Sequence, residues 1–149
     1  MTELYRFEGG CHCGNLTVAF ETAAPPGRLA VRACACSFCR RHGARTVTDP
    51  GGSVRIGVAD PALLERYRFG LGTADFLVCR RCGTYLGALH AEGDRSWATI
   101  NINTFRSTAG LGEAAEPVSY DGESAPERRA RRRARWTPVT ELLESAGAS

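Results

Sequence analysis

The sequence predicts a mainly β protein with short peripheral helices. Residues 1–113 contain short segments rich in β-branched and aromatic residues, a composition that favours strands. Several of these segments alternate apolar and polar positions, as a strand with one buried face does. Glycine- and proline-containing turns, such as DPGG at 49–52, separate them. The predicted strand segments are, in order, LYRFE, NLTVAFE, RLAVRAC, SVRIGV, ADFLVC, TYLGAL and SWATINI.

Within this β-rich part, PALLERY at residues 61–67 predicts one short helical turn. Asp60 can cap the turn, and Pro61 suits its first helical position. A second helix is predicted for TPVTELLES at residues 137–145, with Thr137 as its cap and Pro138 as its first residue.

A change in composition divides the chain after GLGE, residues 110–113. Residues 114–127 are acidic and contain two prolines, and six arginines follow between Arg128 and Arg135. We therefore predict a domain over 1–113 and an Arg-rich C-terminal extension over 114–149 that packs on the same domain. Trp136 and Val139 are the expected anchors of this extension.

Composition places the chain among ordinary globular proteins. It has 149 residues with 43% hydrophobic and 23% charged residues, and a formal net charge of +3. No apolar run approaches the roughly 20 residues that a membrane span needs, so we expect no membrane partner. The N-terminus has no basic region followed by an apolar stretch, and we therefore expect no secretory signal and a cytoplasmic location.

The cysteines form three tight clusters rather than a scattered set. A reducing cytosol keeps thiols free, and an odd number of clustered thiols is more typical of metal binding than of a disulfide framework. Buried, inert cysteines are the simpler alternative, but they are usually scattered along a chain. The seven cysteines are Cys11, Cys13, Cys34, Cys36, Cys39, Cys79 and Cys82.

Their spacing divides the cysteines into a group of four and a group of three. CRRCG at 79–83 and CHCG at 11–14 each supply two ligands followed by a glycine, and together they make a closed four-cysteine zinc site. Cys34, Cys36 and Cys39 then form a second site with an open position, the arrangement typical of a catalytic zinc.

Other divisions of the cysteines remain open from spacing alone. One rival pairs the last two cysteines of the triplet with Cys79 and Cys82 as a zinc ribbon, which leaves three cysteines without a ligand role. An iron–sulfur cluster is disfavoured because the spacings do not match cluster-binding runs. His42, three residues after Cys39, is a possible fourth ligand that would close the second site.

GGCHCG, CACSFCRRHGA and CRRCGT, in this order, resemble the glutathione-dependent formaldehyde-activating family, which includes the centromere protein V domain. The resemblance covers roughly residues 5–105. It implies a β-tent zinc-binding fold, two Zn²⁺ ions per chain, and carbon–sulfur lyase chemistry that reversibly adds a thiol, such as glutathione, to an aldehyde. The sequence departs from the family pattern at Ala35, where members often carry histidine, and at Tyr85, where many carry proline.

The resemblance implies a structural zinc on the group of four and a catalytic zinc on the group of three. A metal lowers the pKa of a thiol or water that it binds and polarises a carbonyl oxygen, so no protein nucleophile is needed. Candidate substrate-binding residues are Arg40, Arg41 and Arg45, since a guanidinium matches a carboxylate. His42 is a candidate general acid or base.

Two further functions compete with the lyase. One is a non-catalytic zinc module for a protein or nucleic-acid partner, and the other is a reductase of oxidised methionine, which needs a free cysteine that this sequence does not spare. Residues 114–149 carry six acidic residues beside six arginines, so we predict no nucleic-acid binding by the arginine run. The sequence makes no prediction about the oligomeric state.

Overall fold

A computed structural model describes residues 3–112 and 114–144. It is mainly β, as predicted, with eleven strands joined in one mixed sheet and two short α-helices. No helix in the described part of the chain is both long and apolar enough to cross a membrane. The strands are β1 (Tyr5–Gly10), β2 (Leu16–Thr22), β3 (Val31–Cys34), β4 (Thr46–Val47), β5 (Ser53–Val58), β6 (Leu64–Tyr67), β7 (Asp75–Cys79), β8 (Tyr85–Glu92), β9 (Arg95–Asn101), β10 (Glu116–Val118) and β11 (Thr137–Glu144). The helices are α1 (Ser37–His42) and α2 (Ala125–Arg135), and 3₁₀ turns cover Pro26–Arg28, Pro61–Leu63 and Ile102–Thr104.

The main path through the sheet runs β1-β2-β5-β11-β9-β4-β3-β10. The hairpins β6–β7 and β7–β8 branch from it, because β8 also pairs antiparallel with β9. Alternate residues of β2 and β5 are buried, as their apolar–polar alternation predicts. The core holds Phe7, Phe20 and Phe105 in mutual contact, with ring centroids 5.4–6.3 Å apart.

The structure corrects the prediction for residues 61–67. Asp60 caps a 3₁₀ turn at Pro61–Leu63, as expected, by accepting a hydrogen bond from the Ala62 N–H at 3.0 Å. The chain then leaves the helical conformation and forms β6, which pairs antiparallel with β7. Pairing with a neighbouring strand overrides the local helical tendency.

The predicted helix at 137–145 is wrong, because residues 137–144 form strand β11. β11 pairs parallel with β5 and, at Thr137 and Pro138, antiparallel with β9. Trp136 is buried and Val139 packs against the core, whereas Ser145 lies outside the described residues.

The arginine run lies on α2. Ser124 caps this helix and exchanges two hydrogen bonds with Glu127 in a capping box, with Pro126 in the first turn. The helix follows β10, which pairs parallel with β3, and precedes β11. This connection brings α2 to the side of the sheet where β3 ends, which is also where the second cysteine cluster begins.

Candidate active site

Cys11, Cys13, Cys79 and Cys82 form one group in which all four sulfurs lie within 4.8 Å of one another. The Cys11–Cys13 and Cys13–Cys79 sulfur distances are 3.6 and 3.5 Å. Four sulfurs around a zinc ion at 2.3 Å are roughly 3.8 Å apart, so this group fits a tetrahedral zinc. The rival ribbon, which takes Cys79 and Cys82 into a site with the triplet, does not match this geometry.

Two tight turns supply these four sulfurs. One follows β1 and the other connects β7 to β8, and each contains a glycine with positive φ: Gly14 at 86° and Gly83 at 79°. A residue with a Cβ is strained in that conformation, which explains the glycine after each cysteine pair. The Leu16 N–H donates to Cys11 Sγ at 3.2 Å, which fixes the position of this sulfur in the turn.

Cys34, Cys36 and Cys39 form the second group, again within 4.8 Å of one another. Cys34 ends β3, Cys36 is the N-cap of α1, and Cys39 lies in the first turn of that helix. Among the described residues, no histidine or carboxylate joins the three sulfurs. The donor set therefore fits a zinc ion held by three protein ligands, and His42 is not positioned as a fourth.

The three thiols influence one another's ionisation. A hydrogen bond with Cys39 and the charge of Arg131 together lower the pKa of the Cys34 thiol to about 5. The same hydrogen bond raises the pKa of Cys39, and burial raises it again. The group thus favours a shared negative charge, which a bound cation would stabilise.

A cavity of about 590 Å³ opens on the three-cysteine group. Its volume lies within the range of small-molecule sites, roughly 300–1,000 Å³. Its walls come from β3, α1, β4, the loop between β6 and β7, the neighbouring strands β7, β8 and β9, and the segment from β10 to Trp136. The side chains with polar or charged groups on its lining include Arg32, Arg40, Thr73, Tyr85, Tyr120, Glu123, Arg128, Arg131 and Arg132.

Tyr85 is 2% exposed and contributes to the cavity wall beside the cysteines. It belongs to the same buried cluster as Cys39, and its ring lies 4.9 Å from that of Phe38. Burial raises the pKa of Tyr85 well above its usual value, and the charge of Cys39 adds to this effect. The phenol therefore remains a hydrogen-bond donor at neutral pH.

The predicted substrate arginines are not all at the cavity. Arg40 lines it, but Arg41 donates back to the Ser37 carbonyl of its own helix at 3.1 Å. Arg45 is held by two hydrogen bonds to Asn103 Oδ1 at 2.9 and 3.2 Å. Neither Arg41 nor Arg45 contributes to the cavity wall, because these contacts direct them elsewhere.

The three histidines lie outside both sulfur groups. His42 is exposed, packs against Phe38 with ring centroids 4.4 Å apart, and does not line the cavity. His12 is exposed in the first cysteine turn. His90 is buried, with its ring nitrogens 3.1 Å from the Thr73 carbonyl and 2.6 Å from Glu92 Oε2, and it does not line the cavity.

The sequence did not indicate that α2 lines this cavity. Arg128, Arg131 and Arg132 of α2 are cavity residues, and Tyr120 precedes them on the wall. The Arg131 guanidinium lies 3.6 Å from the centre of the Tyr120 ring. The unusual density of arginines was visible in the sequence, but the placement of the helix depends on strand pairings on either side of it.

The comparisons with known proteins agree with the cysteine geometry. A family model described as "Glutathione-dependent formaldehyde-activating enzyme" matches residues 6–119. The chain belongs to this family. The match contains all seven cysteines and both sulfur groups, while α2 and β11 lie beyond it.

A solved structure has a fold similar to that of this family member. The crystal structure of a Rhodobacter sphaeroides protein, a structural genomics target, is 25% identical in sequence to this chain. The match covers 74% of this chain and 99% of that one, with a TM-score of 0.50. A search of curated proteins finds no match to this sequence.

Proposed function

We propose that the protein is a zinc-dependent carbon–sulfur lyase that reversibly adds a thiol, such as glutathione, to an aldehyde. Membership of the glutathione-dependent formaldehyde-activating family supports the reaction type. One observation carries the proposal for this chain: three cysteine sulfurs converge, without a fourth protein ligand among the described residues, on a cavity large enough for a small molecule.

Two zinc ions per chain are part of the proposal. Cys11, Cys13, Cys79 and Cys82 would hold a structural zinc in a closed site, and Cys34, Cys36 and Cys39 would hold a catalytic one. When bound to three thiolates, zinc supplies a Lewis acid that favours the ionised form of a thiol and polarises an aldehyde oxygen.

The reaction needs neither an oxidant nor a protein nucleophile. The thiol sulfur forms a bond to the aldehyde carbon, the carbonyl π bond breaks, and the thiol proton ends on the oxygen to give a hemithioacetal. Tyr85 would donate a hydrogen bond to that oxygen, since this residue lines the cavity and packs in the same buried cluster as Cys39. Phe69 and Phe76, which also line the cavity, would limit the access of water.

Arg40 is our candidate among the sequence-predicted arginines for contact with an anionic thiol. Arg41, Arg45 and His42 have contacts elsewhere, and we assign them no part in the reaction. We retain 1–113 as the zinc-binding domain and 114–149 as its extension; residues 1–2, 113 and 145–149 lie outside the described residues. A cytoplasmic location, where thiols stay reduced, suits a glutathione-dependent reaction.

Metal quantification combined with glutathione titration tests the function. Purified protein should contain two zinc ions, and after cobalt substitution the visible spectrum of the three-cysteine site should change when glutathione is added. The spectrum of the four-cysteine site should not change. Mixing the zinc protein with glutathione and formaldehyde should accelerate formation of the hemithioacetal, measured by NMR exchange.

The Cys36→Ser variant is the matched control for this experiment. It should retain one metal and lose both the spectral response and the acceleration. A second metal that is tightly held and indifferent to added thiols, in a protein with no acceleration, would instead support a non-catalytic zinc module.

A further inference from the structure

We propose that Arg132 of α2 binds a carboxylate group carried by one of the two reactants at the three-cysteine site. The inference rests on the proposed function only in assigning the carboxylate to a reactant. It concerns a part of the chain beyond residues 6–119, the range matched by the family model. It therefore describes a ligand contact that this chain adds to the shared cysteine framework.

Arg132 is a buried cation on the cavity wall. Its exposed fraction is 6%, and its guanidinium lies 4.8 Å from the centre of the Trp136 ring. One terminal nitrogen donates to Thr73 Oγ1 at 2.6 Å, but the buried Nε has no hydrogen-bond acceptor. Buried donors in folded proteins are normally paired, so this one indicates a missing partner.

Three other arginines of α2 differ from Arg132 because each of them pairs with a carboxylate. Arg128 and Arg131 both pair with Glu123, at 3.3 and 2.8 Å. Arg133 pairs with Glu92 at 2.7 Å. Among residues 3–112 and 114–144, no carboxylate lies within 4.0 Å of Arg132, although it is the most buried of the six arginines in the run.

A buried charge without a counter-ion is costly, and nearby like charges increase the cost. Burial and the charges of Arg131 and Arg128 together lower the pKa of Arg132 to about 10. The guanidinium still carries its proton at neutral pH, which lies below that value. An anion that enters the cavity would therefore remove an existing electrostatic penalty when it binds.

The planar shape and the single unpaired charge of the Arg132 guanidinium indicate what kind of anion would bind it. A guanidinium presents a planar array of donors that matches a carboxylate. Glu123 already satisfies two of the cavity arginines, so a singly charged anion is a better match to Arg132 than a multiply charged one. Arg132 and the three cysteines line the same cavity, so one ligand can reach both.

Ligand binding, without turnover, tests the assignment. S-methylglutathione carries two carboxylates and no free thiol, and its diester lacks both charges. By calorimetry on the zinc-loaded protein, the acid should bind about 10- to 100-fold more tightly than the diester, because a charge-assisted hydrogen bond contributes about that factor. Arg132→Gln should remove this preference.

Arg129→Gln is the matched control, since Arg129 is an exposed arginine of the same helix that does not line the cavity. It should retain the preference for the acid. Arg132→Lys keeps the charge but loses the planar donor array, and it should restore part of the affinity. If Arg132→Gln does not fold, the acid–diester comparison on the unmodified protein and the lysine variant still decide the outcome.

Glyoxylate carries a carboxylate that acetaldehyde lacks. Comparing the affinities of these two aldehydes therefore tests whether the carboxylate comes from the aldehyde. An effect of Arg132→Gln on S-methylglutathione assigns the carboxylate to the thiol, and an effect on glyoxylate assigns it to the aldehyde. The inference is overturned if neither carboxylate ligand binds better than its uncharged analogue. It is also overturned if the Arg132→Gln variant binds S-methylglutathione and glyoxylate as tightly as the Arg129→Gln variant does. Carboxylate binding without catalysis would instead refute the proposed function and leave the Arg132 site intact.

Discussion

Tyr85 and Ala35, the two positions at which this sequence departs from the family pattern, both lie on the wall of the cavity. Neither departure removes a cysteine, so both sulfur groups are retained. They change what surrounds a bound reactant, and Tyr85 adds a hydroxyl donor beside the three sulfurs.

Replacing Tyr85 by phenylalanine removes the hydroxyl and keeps the aromatic ring, so this variant tests the role of the hydroxyl alone. The aromatic packing against Phe38 and Phe76 would remain, so folding and metal content should not change. We expect kcat to fall about 10- to 100-fold with little change in KM, because the lost hydrogen bond acts on charge that develops at the aldehyde oxygen. Steady-state kinetics with glutathione and formaldehyde measure both constants.

Tyr67→Phe provides the control for this prediction. Tyr67 is an exposed tyrosine that does not line the cavity, and its kinetics should match those of the unmodified protein. Equal kcat values for the Tyr85 and Tyr67 variants would show that the Tyr85 hydroxyl has no part in the reaction.

Strand β11 explains why a local interpretation of the C-terminal sequence failed. Thr137 and Pro138 resemble the start of a helix, and residues 141–144 have high helical propensity. The backbone nevertheless pairs with β5, about eighty residues earlier, and β9 takes the other side of its first residues. Hydrogen bonds to two preformed strands outweigh propensities that differ by less than about 1 kcal/mol per residue.

Two adjacent leucines test the strand assignment. Leu142 packs against the core, whereas Leu143 is 60% exposed, as neighbouring side chains on opposite faces of a strand should be. Leu142→Asp should lower the free energy of unfolding by about 2–3 kcal/mol, because it places a charge against apolar side chains. Leu143→Asp should change it by less than about 0.5 kcal/mol.

Urea denaturation of both variants measures the difference. A similar loss of stability at the two positions would contradict the alternation of faces along β11.

At the level of elements, the sequence predicted what depends on spacing and missed what depends on distant pairing. The cysteine turns could be assigned because a metal needs several donors in one place and the chain offers them in tight clusters with adjacent glycines. The role of α2 could not be assigned, because six arginines on a helix look the same whether they face solvent or a cavity. Only the pairings of β10 and β11 bring Arg132 to the cavity.

Across the whole molecule, the two sulfur groups differ in how far apart in sequence their cysteines are. Cys13 and Cys79 are 66 residues apart, so the four-cysteine group joins the β1–β2 turn to the β7–β8 turn. The three-cysteine group spans only the end of β3 and the first turn of α1. A metal in the first group would restrain the global fold, whereas a metal in the second would act on a local segment.

Serine substitutions should therefore have unequal consequences at the two sites. Cys79 is fully buried, and Cys79→Ser should unfold the protein, because structural zinc binding contributes on the order of 10 kcal/mol, comparable to the whole stability of a domain. Cys36 accepts a hydrogen bond from the Cys39 N–H as the N-cap of α1, and serine can accept the same bond. Cys36→Ser should thus stay folded, with its free energy of unfolding lowered by about 1–2 kcal/mol at most, and should contain one zinc instead of two. Circular dichroism melting and metal analysis measure these outcomes, and a folded Cys79 variant beside an unfolded Cys36 variant would reverse the assignment of the two sites.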